Sequence, residues 1–281
     1  MWRRLTHSAA RAPLQLAYEH FAAGGPPRIA HASSVVVCHG LFGSKQNWRS
    51  LARAMAHDWG VPIYTLDMRN HGDSPHSASM SYMDMAGDVA RFLAEHSLRD
   101  TALIGHSLGG KVVMSVALDR ALSADRVARM VSVDMSPAEG PISREFIQYT
   151  QRMIEIDDAR VSSRKEADDM LSTIEPDPAV RMFLLTNLVR SGDALRFRNP
   201  LRAMLPELEG IGSFPFKPGT AEWDGPTLLI KGQRSKFINR HSAETARRFF
   251  PHMQLVEMPT AHWCQAERPH EFKEIVRAFL A

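Results

Sequence analysis

Two rhythms of apolar and polar positions alternate along the chain. Val35 to Cys38, Pro62 to Met68, Thr101 to Ile104, Arg129 to Asp134, Thr227 to Gly232 and Gln254 to Met258 are short, mainly apolar runs that read as buried strands. Between them, Trp48 to His57, Tyr82 to His96, Lys111 to Leu118, His241 to Phe250 and Pro269 to Leu280 read as helices. Leu14 to Phe21 alternates apolar with polar residues, as a half-buried edge strand does, and Gly24-Gly25-Pro26-Pro27 ends it as a turn. Strands separated by helices in this order predict a mostly parallel central sheet with helices on both faces, an α/β fold.

The rhythm breaks between Glu139 and Trp223. Here the chain is charged and reads as helical, with Ser143 to Ile156, Arg164 to Ile174, Pro178 to Val189 and Pro200 to Leu208 as the helices. Pro176, Pro178, Pro200 and Pro206 punctuate them, and no buried strand is expected. An interruption of roughly eighty residues between two strands is too long for a loop. It reads as a helical lid over the ends of the strands. The expected organisation is a core of residues 13–138 and 224–281, a lid of 139–223, and a short tail of 1–12.

Composition narrows the setting. With 281 residues, 44% hydrophobic and 23% charged, the chain can bury a large core as one α/β domain. A net charge of +3, with no basic run along a helix face, argues against a nucleic-acid partner. Two cysteines, Cys38 and Cys264, argue against a disulfide framework and fit a reducing compartment. No apolar run approaches the roughly 18 residues of a membrane-spanning helix. The first dozen residues hold Arg3, Arg4 and Arg11 and no acid. That composition suits a short mitochondrial transit peptide or, equally, a frayed basic tail on a cytoplasmic protein.

Candidate chemistry gathers at Gly105-His106-Ser107-Leu108-Gly109-Gly110. Glycine-x-serine-x-glycine between a strand and a helix is the nucleophile-elbow pattern. The turn is so tight that the serine backbone is strained and side chains at positions 105 and 109 would collide with neighbouring backbone. The Ser107 hydroxyl is thereby lifted above the sheet, at a helix N-terminus that favours developing negative charge. Such a hydroxyl needs a base, and the base an orienting acid; in this arrangement the chain order is serine, acid, histidine.

Of thirteen histidines, His262 directly follows the last strand, in Pro259-Thr260-Ala261-His262. Open α/β sheets hold their sites at that edge. The frequent place for the acid, after Thr227 to Lys231, carries Ser235 instead; Asp224 precedes that strand and Glu244 falls inside the next helix. Asp134 remains, at the end of the strand beside the elbow strand, with capping of the lid's entry as its alternative role. The oxyanion needs two donors. The Leu108 amide is one, and the Leu41 amide in His39-Gly40-Leu41-Phe42-Gly43 the other, with Phe42 as fallback donor and as a substrate-binding residue. His39, His71 and Asp73 read as supports for loop backbone, and Cys264 as packing. Phe146, Met153, Met182, Phe183 and Leu184 are lid candidates for an acyl pocket, with plain helical packing as the default. H-E-x-x-H and paired Cys-x-x-Cys are absent from the sequence, and no metal or organic cofactor is expected.

These motifs, with Asp67-Met68-Arg69-Asn70-His71-Gly72-Asp73-Ser74, Val133-Asp134-Met135-Ser136-Pro137 and Ala261-His262-Trp263, together resemble an α/β-hydrolase. Within that superfamily the chain is similar to abhydrolase-domain mitochondrial esterases and small bacterial acyl esterases. The resemblance runs from about Leu16 to the C-terminus and is weakest in the lid. It implies an α/β-hydrolase fold with its acid after the strand that follows the elbow helix, which favours Asp134, and it favours a mitochondrial address. The function it implies is a serine esterase or thioesterase acting through an acyl-enzyme on a small-molecule acyl ester or thioester. Fungal alcohol acetyltransferases resemble the same group, so acyl transfer to an alcohol is the alternative. A non-catalytic binding protein on a retired hydrolase fold is a second alternative, disfavoured by the intact Ser107, His262 and glycines.

Overall fold

The computed structural model describes residues 12–123 and 125–281. The basic stretch with Arg3, Arg4 and Arg11 lies outside the described residues. Before the insertion the chain forms β1 (Tyr18–Phe21), β2 (Ser34–Cys38), α1 (Arg49–Trp59), β3 (Ile63–Leu66), α2 (Tyr82–Glu95), β4 (Thr101–His106), α3 (Leu108–Leu118), α4 (Arg120–Ser123) and β5 (Val127–Val133). The insertion supplies α5 (Arg144–Ala159), α6 (Arg164–Ser172), α7 (Pro178–Leu185), β6 (Leu188–Ser191), β7 (Ala194–Phe197), α8 (Leu201–Met204) and α9 (Leu208–Ile211). Then follow β8 (Thr227–Gly232), α10 (Arg240–Arg247), β9 (Met253–Met258), α11 (Cys264–Glu267) and α12 (Pro269–Leu280).

Seven strands form one sheet in the order β1-β3-β2-β4-β5-β8-β9. All neighbours are parallel except β1, which runs antiparallel to β3. Alternation along each strand divides the core in two. Val36, Cys38, Leu103, Met130 and Leu229 pack with α2 and α3, whereas Val35, Val37, Ile104, Val131 and Ile230 pack with α1 and α12. Every residue of α3 is buried. At about 1.5–3 kcal/mol for each large apolar side chain removed from water, that helix is held firmly to the sheet.

Register sets where the loops emerge. Cys38 pairs with Gly105, His106 with Val133, and Gly232 with Met258. The loops after β2, β4, β5, β8 and β9 therefore leave the sheet at one edge, and the insertion caps it.

That insertion is not wholly helical. The helix expected from Pro178 to Val189 stops at Leu185, and the chain turns into an antiparallel hairpin, with Leu188 opposite Phe197 and Ser191 opposite Ala194. The cause lies in the alternation of buried Leu195 and Phe197 with exposed Arg196, around a tight Gly192-Asp193 turn. Period two suits a strand and defeats a helix. The segment expected as one helix from Pro200 to Leu208 is broken into α8, a three-residue 3-10 turn at Leu205–Glu207, and α9.

The insertion is fastened to the core by buried polar groups. Asn187 Nδ2 donates to the Phe42 carbonyl at 2.7 Å, and Asn199 Nδ2 to the Asn70 carbonyl at 3.0 Å. At its return, Gly212 O accepts from Gly140 N at 3.0 Å and from Lys111 Nζ at 3.1 Å. Lys111 also donates to Ser213 O at 2.8 Å, and burial pushes its ammonium down to about 8. Among the described residues, no helix is long and apolar enough to cross a membrane.

Candidate active site

Ser107 caps α3 with φ 53° and ψ −116°. A non-glycine residue in such a region costs on the order of 1–3 kcal/mol and persists only where its surroundings enforce it. Here Ser107 N donates to Val133 O at 3.1 Å, and Ser107 O accepts from Gly110 N at 2.8 Å. The glycines make the turn possible. A Cβ at Gly105 would lie 2.1 Å from Gly109 O, and one at Gly109 would lie 2.3 Å from Cys38 O. The elbow is thus wedged between β2 and its own helix.

His262 lies in the loop after β9, and its Nδ1 is 2.7 Å from Asp134 Oδ2. Asp134, fully buried after β5 at φ 49°, receives Gly232 N on its other oxygen, Oδ1, at 3.0 Å. An ionised carboxylate only accepts hydrogen bonds, so Nδ1 must bring the proton. That leaves Nε2 as an acceptor. Phe237 stacks on the His262 ring, with centroids 4.1 Å apart and planes tilted by 26°.

Ser107 and His262 line one cavity of about 450 Å³. Its apolar wall includes Phe42, Phe146, Val180, Phe183, Leu184 and Trp263, and Glu145, Glu175 and Asp177 bring carboxylates to it. A second cavity of about 330 Å³ shares Leu41, Ser107, Phe146 and Phe237 with the first and extends to Lys111 and Lys236. Of the lid candidates, Phe146, Phe183 and Leu184 line the first cavity. Met153 instead packs in the core, and Met182 points to solvent with 70% exposure.

The amides of Leu41 and Leu108 donate to no acceptor among the described residues. Phe42 N, by contrast, donates to His71 Nε2 at 3.1 Å, which removes it as a fallback donor, although the ring lines the cavity. His71 completes that clamp by donating Nδ1–H to Arg69 O at 2.8 Å, and burial holds its imidazole down to about 3. His39 works likewise, donating to Gly40 O at 2.7 Å and accepting from Met68 N at 3.0 Å, and burial lowers its pKa too. Asp73 joins Lys45, itself paired with buried Asp67, to Arg198 of the insertion. Cys264 is fully buried, and burial pushes its thiol up to about 11.

Besides the carboxylates of the cavity, residues that meet His262 or line the cavity and escaped sequence reasoning include His106, Phe237 and Gln265. His106 Nε2 donates to the His262 carbonyl at 3.0 Å; burial and the nearby His262 ring keep it neutral. Phe237 and Gln265 reach the cavity from loops and a short helix with no local pattern to mark them. His106 alone carried a signal, its place beside Ser107 in the glycine-x-serine-x-glycine turn. Among the described residues, no group of three His, Cys, Asp or Glu is gathered closely enough to hold a metal.

Residues 33–269 match the family described as the alpha/beta hydrolase fold. An abhydrolase domain-containing protein of Schizosaccharomyces pombe is 38% identical over 271 residues, spanning 95% of this chain and 98% of that one. The sn-1-specific diacylglycerol lipase ABHD11 of Mus musculus is 39% identical over 254 residues, spanning 88% and 81%. Among solved structures, a marine microorganism esterase superposes with a TM-score of 0.86 at 28% identity, covering 95% of this chain and all of that one.

Proposed function

This chain belongs to the α/β-hydrolase family, and from that premise we propose that it is a serine esterase that cleaves carboxylic esters or thioesters through an acyl-enzyme. The observation that carries the reading is the bond from Asp134 to His262 Nδ1, which leaves Nε2 free to accept a proton in the cavity that Ser107 lines. His262 Nε2 takes the Ser107 proton as Oγ attacks the acyl carbonyl, and the oxyanion receives the Leu41 and Leu108 amides. His262 then returns the proton to the departing alcohol or thiol. Water enters, loses its proton to His262 and releases the acid, restoring Ser107. Asp134 holds the imidazole tautomer and stabilises its cation. The apolar wall with Phe42 and Phe183 binds the acyl limb. The basic N-terminus with no acid before Glu19 supports a mitochondrial address.

The test is a fluorophosphonate probe together with product analysis on butyrate esters. Covalent labelling at Ser107 is expected, with Ser107→Ala losing about 10⁶-fold in kcat. Intact labelling at another residue, or none, refutes the reading. Alkyl ester accumulating faster than free acid in the presence of added alcohol would rename the reaction as acyl transfer.

A further inference from the structure

Among the described side chains that line the cavity, Gln265 alone has a buried polar atom without a hydrogen-bond partner. It sits in α11, three residues after His262, only 9% exposed. It lines the cavity beside Trp263 and Trp48, and its Oε1 is buried without a hydrogen-bond partner among the described residues. No side-chain donor bond from its Nε2 occurs there either. A buried amide left in this state costs stability, and a primary amide offers both an acceptor and a donor. A chain that keeps one in the wall of this cavity gains when a ligand supplies the complement.

We propose that Gln265 is a specificity residue for a hydroxyl group carried by the substrate ester. This rests on the esterase reading of the same cavity and adds to it the substrate class: an uncharged, hydroxyl-bearing ester. A hydroxyl both donates and accepts, so it satisfies either orientation of the amide. A carboxylate can only accept, and Glu145, Glu175 and Asp177 line the same cavity with no Lys or Arg among the described lining residues. Those three carboxylates repel an anion. An ammonium group would suit their charge, but it can only donate and would leave the Gln265 NH₂ unpaired.

The experiment compares kcat/KM for two pairs of esters that differ by hydroxyl against methyl. On the alcohol limb the pair is 2-hydroxyethyl butyrate and propyl butyrate; on the acyl limb it is ethyl 6-hydroxyhexanoate and ethyl heptanoate. In one of the two pairs the hydroxyl ester is expected to be favoured by roughly tenfold, the value of one desolvated hydrogen bond. That pair identifies the limb that reaches Gln265. Gln265→Leu is expected to bring the ratio to within about twofold of unity, and Gln265→Glu, which keeps an acceptor, to preserve a preference. A wild-type ratio near one in both pairs overturns the proposal, as does a preference that survives Gln265→Leu. Failure of the esterase reading looks different: neither methyl ester is hydrolysed and the fluorophosphonate leaves Ser107 unlabelled.

Discussion

Replacing Asp134 by asparagine tests the arrangement most directly, because the geometry dictates what the amide must do. Asp134 Oδ1 accepts Gly232 N at 3.0 Å and Oδ2 faces His262 Nδ1 at 2.7 Å, in a fully buried position. An asparagine has one oxygen for these two donors. If that oxygen stays with Gly232, the NH₂ faces Nδ1 and fits only an imidazole protonated at Nε2, which cannot receive the Ser107 proton. If the amide flips, two N–H groups confront each other at Gly232, and a buried donor left unpaired costs about 1–3 kcal/mol. The first arrangement is the cheaper, so the wrong tautomer prevails. The expected loss in kcat is about 10⁴-fold, or about 5 kcal/mol of transition-state stabilisation. Steady-state hydrolysis of p-nitrophenyl butyrate measures it, and a thermal melt close to wild type shows that the fold survived. An Asp134→Asn enzyme within tenfold of wild type would refute the orienting role.

Other outcomes follow from the same contacts. His71 titrates at about 3 in the folded chain against roughly 6.5 when unfolded, so between those values the unfolded state binds the extra proton and stability falls as pH falls. His71→Gln keeps a donor and an acceptor and is expected to reduce the slope of unfolding free energy against pH by about 1.2 kcal/mol per unit between pH 5 and 6. Urea titrations at the two pH values measure it, and an unchanged slope would contradict the assignment. Asn187→Ala removes the 2.7 Å bond to the Phe42 carbonyl and is expected to cost about 1–3 kcal/mol in urea unfolding, with a lower kcat because Leu41 adjoins Phe42. Stability equal to wild type would show that the bond is not formed in solution. Monoethyl adipate is expected to be hydrolysed about tenfold more slowly than ethyl heptanoate, since one carboxylate at ~8 Å and an effective dielectric of about 20 repels by ~2 kcal/mol before screening. Equal rates at low salt would remove charge from the account of this cavity.

The sheet and its two helical layers were legible because their signals are local. A run such as Val35 to Cys38 needs no partner to declare itself buried, and Tyr82 to Glu95 shows its stripe within its own length. The hairpin in the insertion was not, because each of its strands has only four residues and β6 turns exposed Arg190 and Ser191 outward. Next to the apolar Pro178–Leu185 helix, so short an alternation reads as a continuation. Met182 illustrates the same limit. It carries the composition of a pocket residue, yet the rotation of its helix, which only packing fixes, turns it to water. His106 stood in plain view inside the elbow, but its hydrogen bond spans 156 positions of chain, and nothing near residue 106 announces residue 262.

The place of Asp134 becomes intelligible once the strands are seen as neighbours. β5 and β8 run parallel, with Val133 opposite Ile230, so their carboxyl ends open beside the same loop. A carboxylate at either end can reach one imidazole, provided that the other strand does not contest it. Here β5 supplies the carboxylate, and β8 supplies the Gly232 amide that holds its second oxygen. Gly232 also lets the His262 loop come close, since a Cβ there would lie 2.1 Å from Ala261 O. With Ser235 rather than an acid after β8, His262 still has a carboxylate partner, Asp134. A second buried carboxylate beside Asp134 would repel the first and favour its protonation, which would cost the imidazole its anion.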